Sequence, residues 1–113
     1  MVRTLMLTAA TVLGLAAHGI AADAIVGEWK ATSGETVAIS PCGGAYCYVV
    51  KTGKHAGKTI GKVHSTGASY EGEISDPDNG NVYGAFASVS GPSLKMKGCY
   101  MKVLCKTQTW SRL

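Results

Sequence analysis

Polar and apolar residues alternate with a period of two along several short stretches of this 113-residue chain. In the segment 69–74, Tyr70, Gly72 and Ile74 fall on one face of an extended backbone and two glutamates fall on the other. The segment 93–98 repeats the pattern, with two apolar residues opposed to two lysines. Such alternation is typical of antiparallel strands that are buried on one face only.

The whole chain downstream of the first two dozen residues follows this pattern, and no window predicts an amphipathic helix. Clusters of Gly, Pro, Asn, Asp and Ser interrupt it about every 8 to 12 residues, as turns do in all-β domains. Strands are predicted at 26–31, 35–40, 45–51, 59–65, 69–74, 82–89, 93–98 and 106–112. Because open sheet edges aggregate, eight short strands must close or pack as two sheets. We expect an all-β fold, a small antiparallel up-and-down barrel, in preference to a sandwich.

The N-terminal segment has the organisation of a cleavable export signal. Arg3 supplies a positive charge, an apolar stretch follows at 5–17, and small residues come next. The stretch is shorter than the roughly 20 apolar residues that a membrane-spanning helix needs. We predict cleavage after Ala21, with the triplet at 22–24 as the alternative site. The predicted organisation is a signal peptide at 1–21 and one barrel domain at 22–113, periplasmic or secreted, with no membrane span.

The charge of the predicted mature chain is mild, with ten Lys and Arg against seven Asp and Glu, or about +3. The basic residues are spread along the sequence and form no block. Exported proteins do not normally meet nucleic acid, so we expect no nucleic-acid binding. A solvated surface is the favoured interpretation, and a weak attraction to acidic surfaces of the cell envelope is the alternative.

Four cysteines form two close pairs, Cys42 with Cys47 and Cys99 with Cys105. A domain of this size buries only about 60 to 65% of its unfolded surface, so disulfides are expected to support it after export. Local pairing stabilises the fold by about 2 kcal/mol per bridge, whereas pairing between the clusters gives about 4 kcal/mol. We favour local pairing because each pair brackets a predicted hairpin turn, and the other connectivities stay open. Zinc is disfavoured because neither pair has two-residue spacing.

Segments that suggest catalysis or ion binding each lack a required feature. The segment 53–59 has three residues between its glycines where a phosphate-binding loop needs four, and 76–81 lacks the final glutamate of a calcium loop. Glu71 and Glu73 should face solvent on one strand. The histidines left after cleavage, at 55 and 64, lie in a predicted turn and on a predicted outer face. We predict no catalytic residue, no metal site, no cofactor and no enzymatic activity.

Small exported barrels either hold a ligand inside or present loops to another protein. Small residues that could leave room inside are Gly72, Gly84, Ala85 and Ala87. The candidate contacts to a ligand or partner are the aromatic residues Tyr46, Tyr48, Tyr70, Tyr83, Phe86 and Trp110. Because the strands are short, we expect the interior to be largely filled by the protein's own side chains. A monomer or weak dimer is expected.

The two ends of the predicted domain resemble those of lipocalin-type barrels. Gly27-Glu28-Trp29 in the first strand and Arg112 in the last resemble the glycine-x-tryptophan and distant arginine of those proteins. In them the first and last strands are neighbours, and the guanidinium stacks on the indole. The resemblance implies that Trp29 and Arg112 close one end of the barrel.

A second resemblance covers nearly all of the predicted mature chain. The segments that carry it are Gly27-Glu28-Trp29, Ile39-Ser40-Pro41-Cys42, Tyr70 to Pro77, Tyr83, Gly98-Cys99, Leu104-Cys105 and Gln108 to Arg112. They resemble the bacterial family called domain of unknown function 2147, whose members are small, exported and lipocalin-like. The chain departs from many members in its short 51–58 connection and in Tyr48.

Because no catalytic or metal site is predicted, we expect a non-enzymatic binding role in the cell envelope, with a small apolar ligand or an envelope component as the target. The resemblance implies no shared activity or catalytic residue. The segment 66–70 also resembles the serine-glycine-x-x-tyrosine loop of bacterial lysozyme inhibitors, with threonine in the first position. An inhibitor or other protein-interaction module is therefore the alternative function, and an enzyme comes third.

Overall fold

The computed structural model describes residues 24–101 and 103–113. Within that part the chain forms eight strands that close into one antiparallel barrel, which confirms the predicted fold class. The strands are β1 (Gly27–Lys30), β2 (Thr36–Cys42), β3 (Ala45–Val50), β4 (Thr59–Ser65), β5 (Tyr70–Ser75), β6 (Val82–Ser90), β7 (Ser93–Tyr100) and β8 (Leu104–Arg112). The predicted signal at 1–21 and its cleavage site lie outside the described residues. Among the described residues we find no helix of the length and apolar character needed to cross a bilayer.

Each predicted strand corresponds to an observed one, and the main difference is at the last hairpin. β7 and β8 each extend two residues closer to their turn than the alternation predicted. The extension arises because Cys99 and Cys105 are direct cross-strand partners, as are Tyr100 and Leu104. The disulfide therefore joins two paired strands at the base of a short turn.

Every strand pairs with the next one along the chain, and β1 pairs with β8 through Trp29 opposite Arg112. The connections therefore alternate between two ends. The turns at 43–44, 66–69 and 91–92 share one end with the start of β1 and the end of β8, and we call this the closed end. The connections at 31–35, 51–58, 76–81 and 101–103 share the other, which we call the open end.

The closed half of the barrel is filled by its own side chains. Alternate residues of each strand point inward, and the buried cluster consists of Ile25, Trp29, Val37, Ile39, Tyr48, Val63, Tyr70, Ala85, Ala87, Leu94, Met96 and Trp110. Tyr46 packs edge-on against Tyr70, with ring centroids 5.7 Å apart. The expectation of a filled interior therefore holds for this half.

Trp29 and Arg112 seal the closed end in the arrangement that the lipocalin resemblance implied. The guanidinium carbon of Arg112 lies 4.2 Å from the centroid of the Trp29 ring. Trp29 itself is fully buried, and its Nε1 donates a hydrogen bond to the carbonyl of Ile25. Gly27 leaves the space that the guanidinium needs, because a Cβ there would lie 2.8 Å from Nη1 of Arg112.

Both disulfides are local, which confirms the favoured pairing. Cys42 bonds Cys47 across the β2–β3 turn at the closed end. Cys99 bonds Cys105 across the β7–β8 turn at the open end. One bridge therefore fastens a hairpin at each end of the barrel, and two disulfides fit an exported protein.

Candidate functional site

The floor of the open end is an aromatic layer halfway along the barrel. The rings of Tyr48 and Trp110 meet edge to face, with centroids 6.0 Å apart. The Tyr48 hydroxyl donates a hydrogen bond to Sδ of Met96 at 3.2 Å. Burial, with a smaller contribution from Tyr70, raises the pKa of Tyr48 above its ordinary range. The floor is therefore apolar and carries no charge at neutral pH.

Above this floor the barrel opens into two adjoining cavities of about 340 and 450 Å³. Asp76, Gln108 and Trp110 line both of them. The first cavity is further lined by Ile74, Ser75, Tyr83, Met96, Gly98, Leu104 and Lys106. The second is further lined by residues of the β1–β2, β3–β4 and β5–β6 connections. Each volume lies in the lower part of the range of small-molecule pockets.

A row of small residues crosses three adjacent strands beside the first cavity. Gly72 of β5 is paired with Ala85 of β6, which is paired in turn with Gly98 of β7. All three lie on the inward face. A Cβ on Gly98 would have only ordinary contact, 3.7 Å from Cβ of Tyr83, so the space beside this glycine is free. Of the three positions, Gly98 leaves volume beside the first cavity that a larger inward side chain would have occupied, whereas at Gly72 the backbone of β4 takes that space.

Polar side chains surround the mouth of the first cavity. β8 presents Leu104, Lys106, Gln108 and Trp110 on its inward face, so two polar residues replace apolar ones toward the open end. Nε1 of Trp110 donates a hydrogen bond to Oε1 of Gln108 at 3.1 Å, which orients the amide over the floor. Lys106 supplies a positive charge and Asp76 a negative one at the same rim. The site therefore has an apolar base and a charged mouth.

An ion pair joins two loops over the second cavity. Oδ1 of Asp78 lies 3.0 Å from Nζ of Lys54 and 2.8 Å from Nε2 of His55. The hydrogen bond with His55, followed by the hydrogen bond and charge of Lys54, lowers the pKa of Asp78 below its ordinary value. The 51–58 and 76–81 segments are turns, as the sequence predicted, and the contacts of Asp78 join them across the mouth of the second cavity.

Only two of the six aromatic candidates line the cavities. Tyr83 and Trp110 line the first cavity. Tyr46, Tyr48 and Tyr70 belong to the filled half, and Tyr48 supports the floor from below. Phe86 lines neither cavity.

Phe86, a candidate contact to a ligand or partner, does not face the interior of the barrel. Its side chain is 44% exposed on the outer wall, where Nζ of Lys97 lies 5.8 Å from the ring centroid. The neighbouring Ala85 and Ala87 are the buried residues. The large inward side chains of Tyr70 and Met96, the register partners of Ala87, fill the space that a phenylalanine would need. Gly84 lies on the same outward face of β6 as Phe86, so it leaves no room inside the barrel, contrary to expectation.

Lys106, Gln108 and Asp76 were not among the residues that the sequence singled out for this site. The available signal was the period of two in β8, which places positions 104, 106 and 108 on the same face as Trp110. That signal is weak because positions 106 and 108 are polar, and polar residues on a strand usually indicate the solvent face.

The remaining sequence candidates lie away from the cavities. Glu71 and Glu73 lie on the outer face of β5, opposite His64 and Lys62 of β4. The segment 66–69 forms a tight turn at the closed end, in which the amide of Thr66 donates to the carbonyl of Ser69 at 2.8 Å. Tyr70, which follows it, is buried in the core.

Comparison with known proteins identifies the family of the chain. The model of the family described as "Uncharacterized protein conserved in bacteria (DUF2147)" matches residues 51–112. The chain belongs to this family. The match covers β4 to β8, and it therefore includes most of the first cavity and the Cys99–Cys105 disulfide. No curated protein and no solved structure matches the DUF2147 chain at a significant level.

Proposed function

We propose that this DUF2147 protein is an exported, non-enzymatic binding protein that holds a small amphipathic molecule in the open end of its barrel. The observation that carries the proposal is the first cavity, in which an apolar floor lies beneath a polar rim. Pockets of this form bury the apolar body of a ligand and orient it through a few polar groups.

The two parts of such a ligand would contact different residues. Its apolar body would lie on Met96 and Trp110, beside the space above Gly98. Its polar head would lie at the rim, where Lys106 and Gln108 can bond an anionic or hydroxyl group. One wall of the opening is formed by β7 and β8, which are paired from Ser93 opposite Ser111 to Tyr100 opposite Leu104 and joined by a disulfide.

Location in the cell envelope is the second part of the proposal. It is supported by the sequence of the first 21 residues and by two disulfides, which form in oxidising compartments. Expression of the full sequence in a bacterium, followed by fractionation and N-terminal sequencing, should yield a periplasmic or secreted protein that begins at Ala22. A chain that keeps Met1 in the cytoplasm would contradict this part.

Ligand binding is tested by calorimetric titration with decanoate and with decanol, which share an apolar body and differ in the head group. We expect saturable binding, and we expect Gly98→Val to weaken it about ten-fold or more because the new side chain occupies the cavity. Gly84→Val is the matched control, since Gly84 lies on the adjacent strand and points outward, where a Cβ would have only ordinary contact, 3.8 Å from the carbonyl oxygen of Cys99. Absence of saturable binding of both compounds, or equal effects of the two variants, would argue against the cavity as a binding site.

A further inference from the structure

The turn between β7 and β8 presents large apolar side chains to solvent. Met101, Val103 and Leu104 are 76%, 78% and 70% exposed, the three highest values among the large exposed hydrophobic residues of the described part of the chain. Tyr100 at the end of β7 is 39% exposed and Val82 at the start of β6 is 54% exposed, and both lie at the same end of the barrel as the turn. We call these five residues the apolar tip.

Local contacts fix the conformation of the apolar tip. The Cys99–Cys105 disulfide closes its base, and the amide of Val103 donates a hydrogen bond to the carbonyl of Tyr100 at 3.3 Å. The rings of Tyr83 and Tyr100 pack with centroids 5.7 Å apart. Met101 adopts a φ of 55°, a conformation that residues other than glycine seldom adopt. An exposed apolar segment fixed in this way contrasts with the tendency of soluble proteins to leave large apolar residues scattered singly.

The hairpin that carries the tip is strongly basic. The segment 93–113 contains Lys95, Lys97, Lys102, Lys106 and Arg112 and has no Asp or Glu. The seven acidic residues of the chain therefore all precede this hairpin. Lys97 of β7 and Lys106 of β8 are the described cations of this hairpin nearest the tip, whereas Lys95 and Arg112 lie toward the closed end. An apolar projection with lysines beside it matches the interface of an anionic bilayer, which takes up apolar side chains at the boundary and attracts lysines at its surface.

We propose that the β7–β8 tip docks the barrel on the surface of an anionic lipid bilayer. A second copy of the chain is a poorer partner, because tip-to-tip contact would bring two basic hairpins together. Docking also places the open end against the bilayer, where an amphipathic ligand could reach the cavities without crossing water.

The test is sedimentation of the oxidised protein with vesicles. We expect it to bind vesicles of phosphatidylglycerol and phosphatidylcholine in equal parts, to bind phosphatidylcholine alone at least about ten-fold more weakly, and to be released by salt. Met101→Asn with Val103→Ser should lower binding about ten-fold or more, because these side chains enter the interface. Asparagine suits the positive φ at position 101, so this variant should fold.

Leu113→Ser is the matched control, since Leu113 is 61% exposed and follows β8 at the closed end. It should leave vesicle binding unchanged. Equal losses in the tip and control variants, or no binding to the anionic vesicles, would overturn the proposal. A concentration-dependent dimer that the tip variant abolishes, without vesicle binding, would overturn it and assign the tip to self-association. Gly98→Val should bind vesicles normally, so failure of the cavity proposal and failure of this one are distinguishable.

Discussion

Arg112 clamps the start of the chain to its end by stacking on Trp29 and reaching past it. Besides the 4.2 Å stacking distance, Nη2 donates a hydrogen bond to the carbonyl of Ala24 at 2.7 Å, and Nη1 donates to that of Val26 at 3.2 Å. The β1–β8 pairing is the shortest seam of the barrel, with two paired positions. The Arg112 side chain therefore supplies much of the contact that joins β1 to β8 and closes the barrel.

Arg112→Gln should lower the free energy of unfolding by about 1 to 3 kcal/mol, because it removes the cation–π contact and the paired donors. Arg112→Lys should give an intermediate loss, since an ammonium keeps the charge without the planar fork. Urea unfolding of the oxidised proteins measures both. An unchanged midpoint for the glutamine variant would show that the seam closes without this clamp.

Gly72→Ala should be much more destabilising than Gly84→Ala, although both glycines are in strand interiors. A Cβ at position 72 would overlap the carbonyl oxygen of Lys62 and lie 2.8 Å from Cα of Val63, which are backbone atoms. At position 84 the nearest atom is 3.8 Å away. Overpacking predicts a loss of about 1 to 3 kcal/mol for the first variant and about 0.5 kcal/mol or less for the second. Equal melting temperatures would contradict the close approach of β4 and β5.

Each disulfide should contribute about 2 kcal/mol, because each closes a loop of only a few residues in the unfolded chain. Replacing Cys99 and Cys105 together by serine should therefore lower stability by about that amount, and the same should hold for Cys42 with Cys47. Denaturant unfolding of the two double variants checks the values. Peptide mapping of the oxidised wild-type protein should find only the two local bridges, and a bridge between the pairs would contradict the hairpin arrangement.

The Asp78 ion pair predicts a specific acid sensitivity of the open end. Because the folded-state pKa of Asp78 is lowered, its stabilising effect is present above the ordinary pKa of 3.8 and is lost as the pH falls through the lowered value. Carbon-detected NMR titration should place the Asp78 midpoint below 3.8. In Lys54→Gln with His55→Gln the midpoint should rise toward the ordinary value. A midpoint that does not move would mean that the loops are not joined in solution.

The barrel itself was predictable from the sequence, because alternation in segments such as 93–98 and the turn clusters between strands are local signals. Leu94 and Met96 were placed correctly on the inner face for this reason. The sequence could not decide which face of β6 is buried. Ala-Phe-Ala satisfies a period of two with either Phe86 or the alanines inside, and only the neighbouring strands settle the question.

The open end could not be predicted for a related reason. Lys106 and Gln108 face a cavity that is open to solvent, so their polarity looks like that of an outer face. The cavity has room beside Gly98, whose register partners are Ala85 of β6 and Lys106 of β8, and that depends on the registers of three strands. Register is a property of the assembled sheet, since a shift of one residue would turn every side chain to the other face.

The two tryptophans test the binding proposal, because Trp110 lines both cavities and Trp29 lines neither. Nε1 of Trp29 donates to the carbonyl of Ile25 at 3.0 Å in the closed end, and Nε1 of Trp110 donates to Gln108 at 3.1 Å above the floor. We propose to titrate the ¹⁵N-labelled protein with decanoate and to follow both indole resonances. We expect a saturable shift of the Trp110 resonance while that of Trp29 stays in place. A stationary Trp110 resonance, or equal shifts of the two, would contradict a ligand site in the open end.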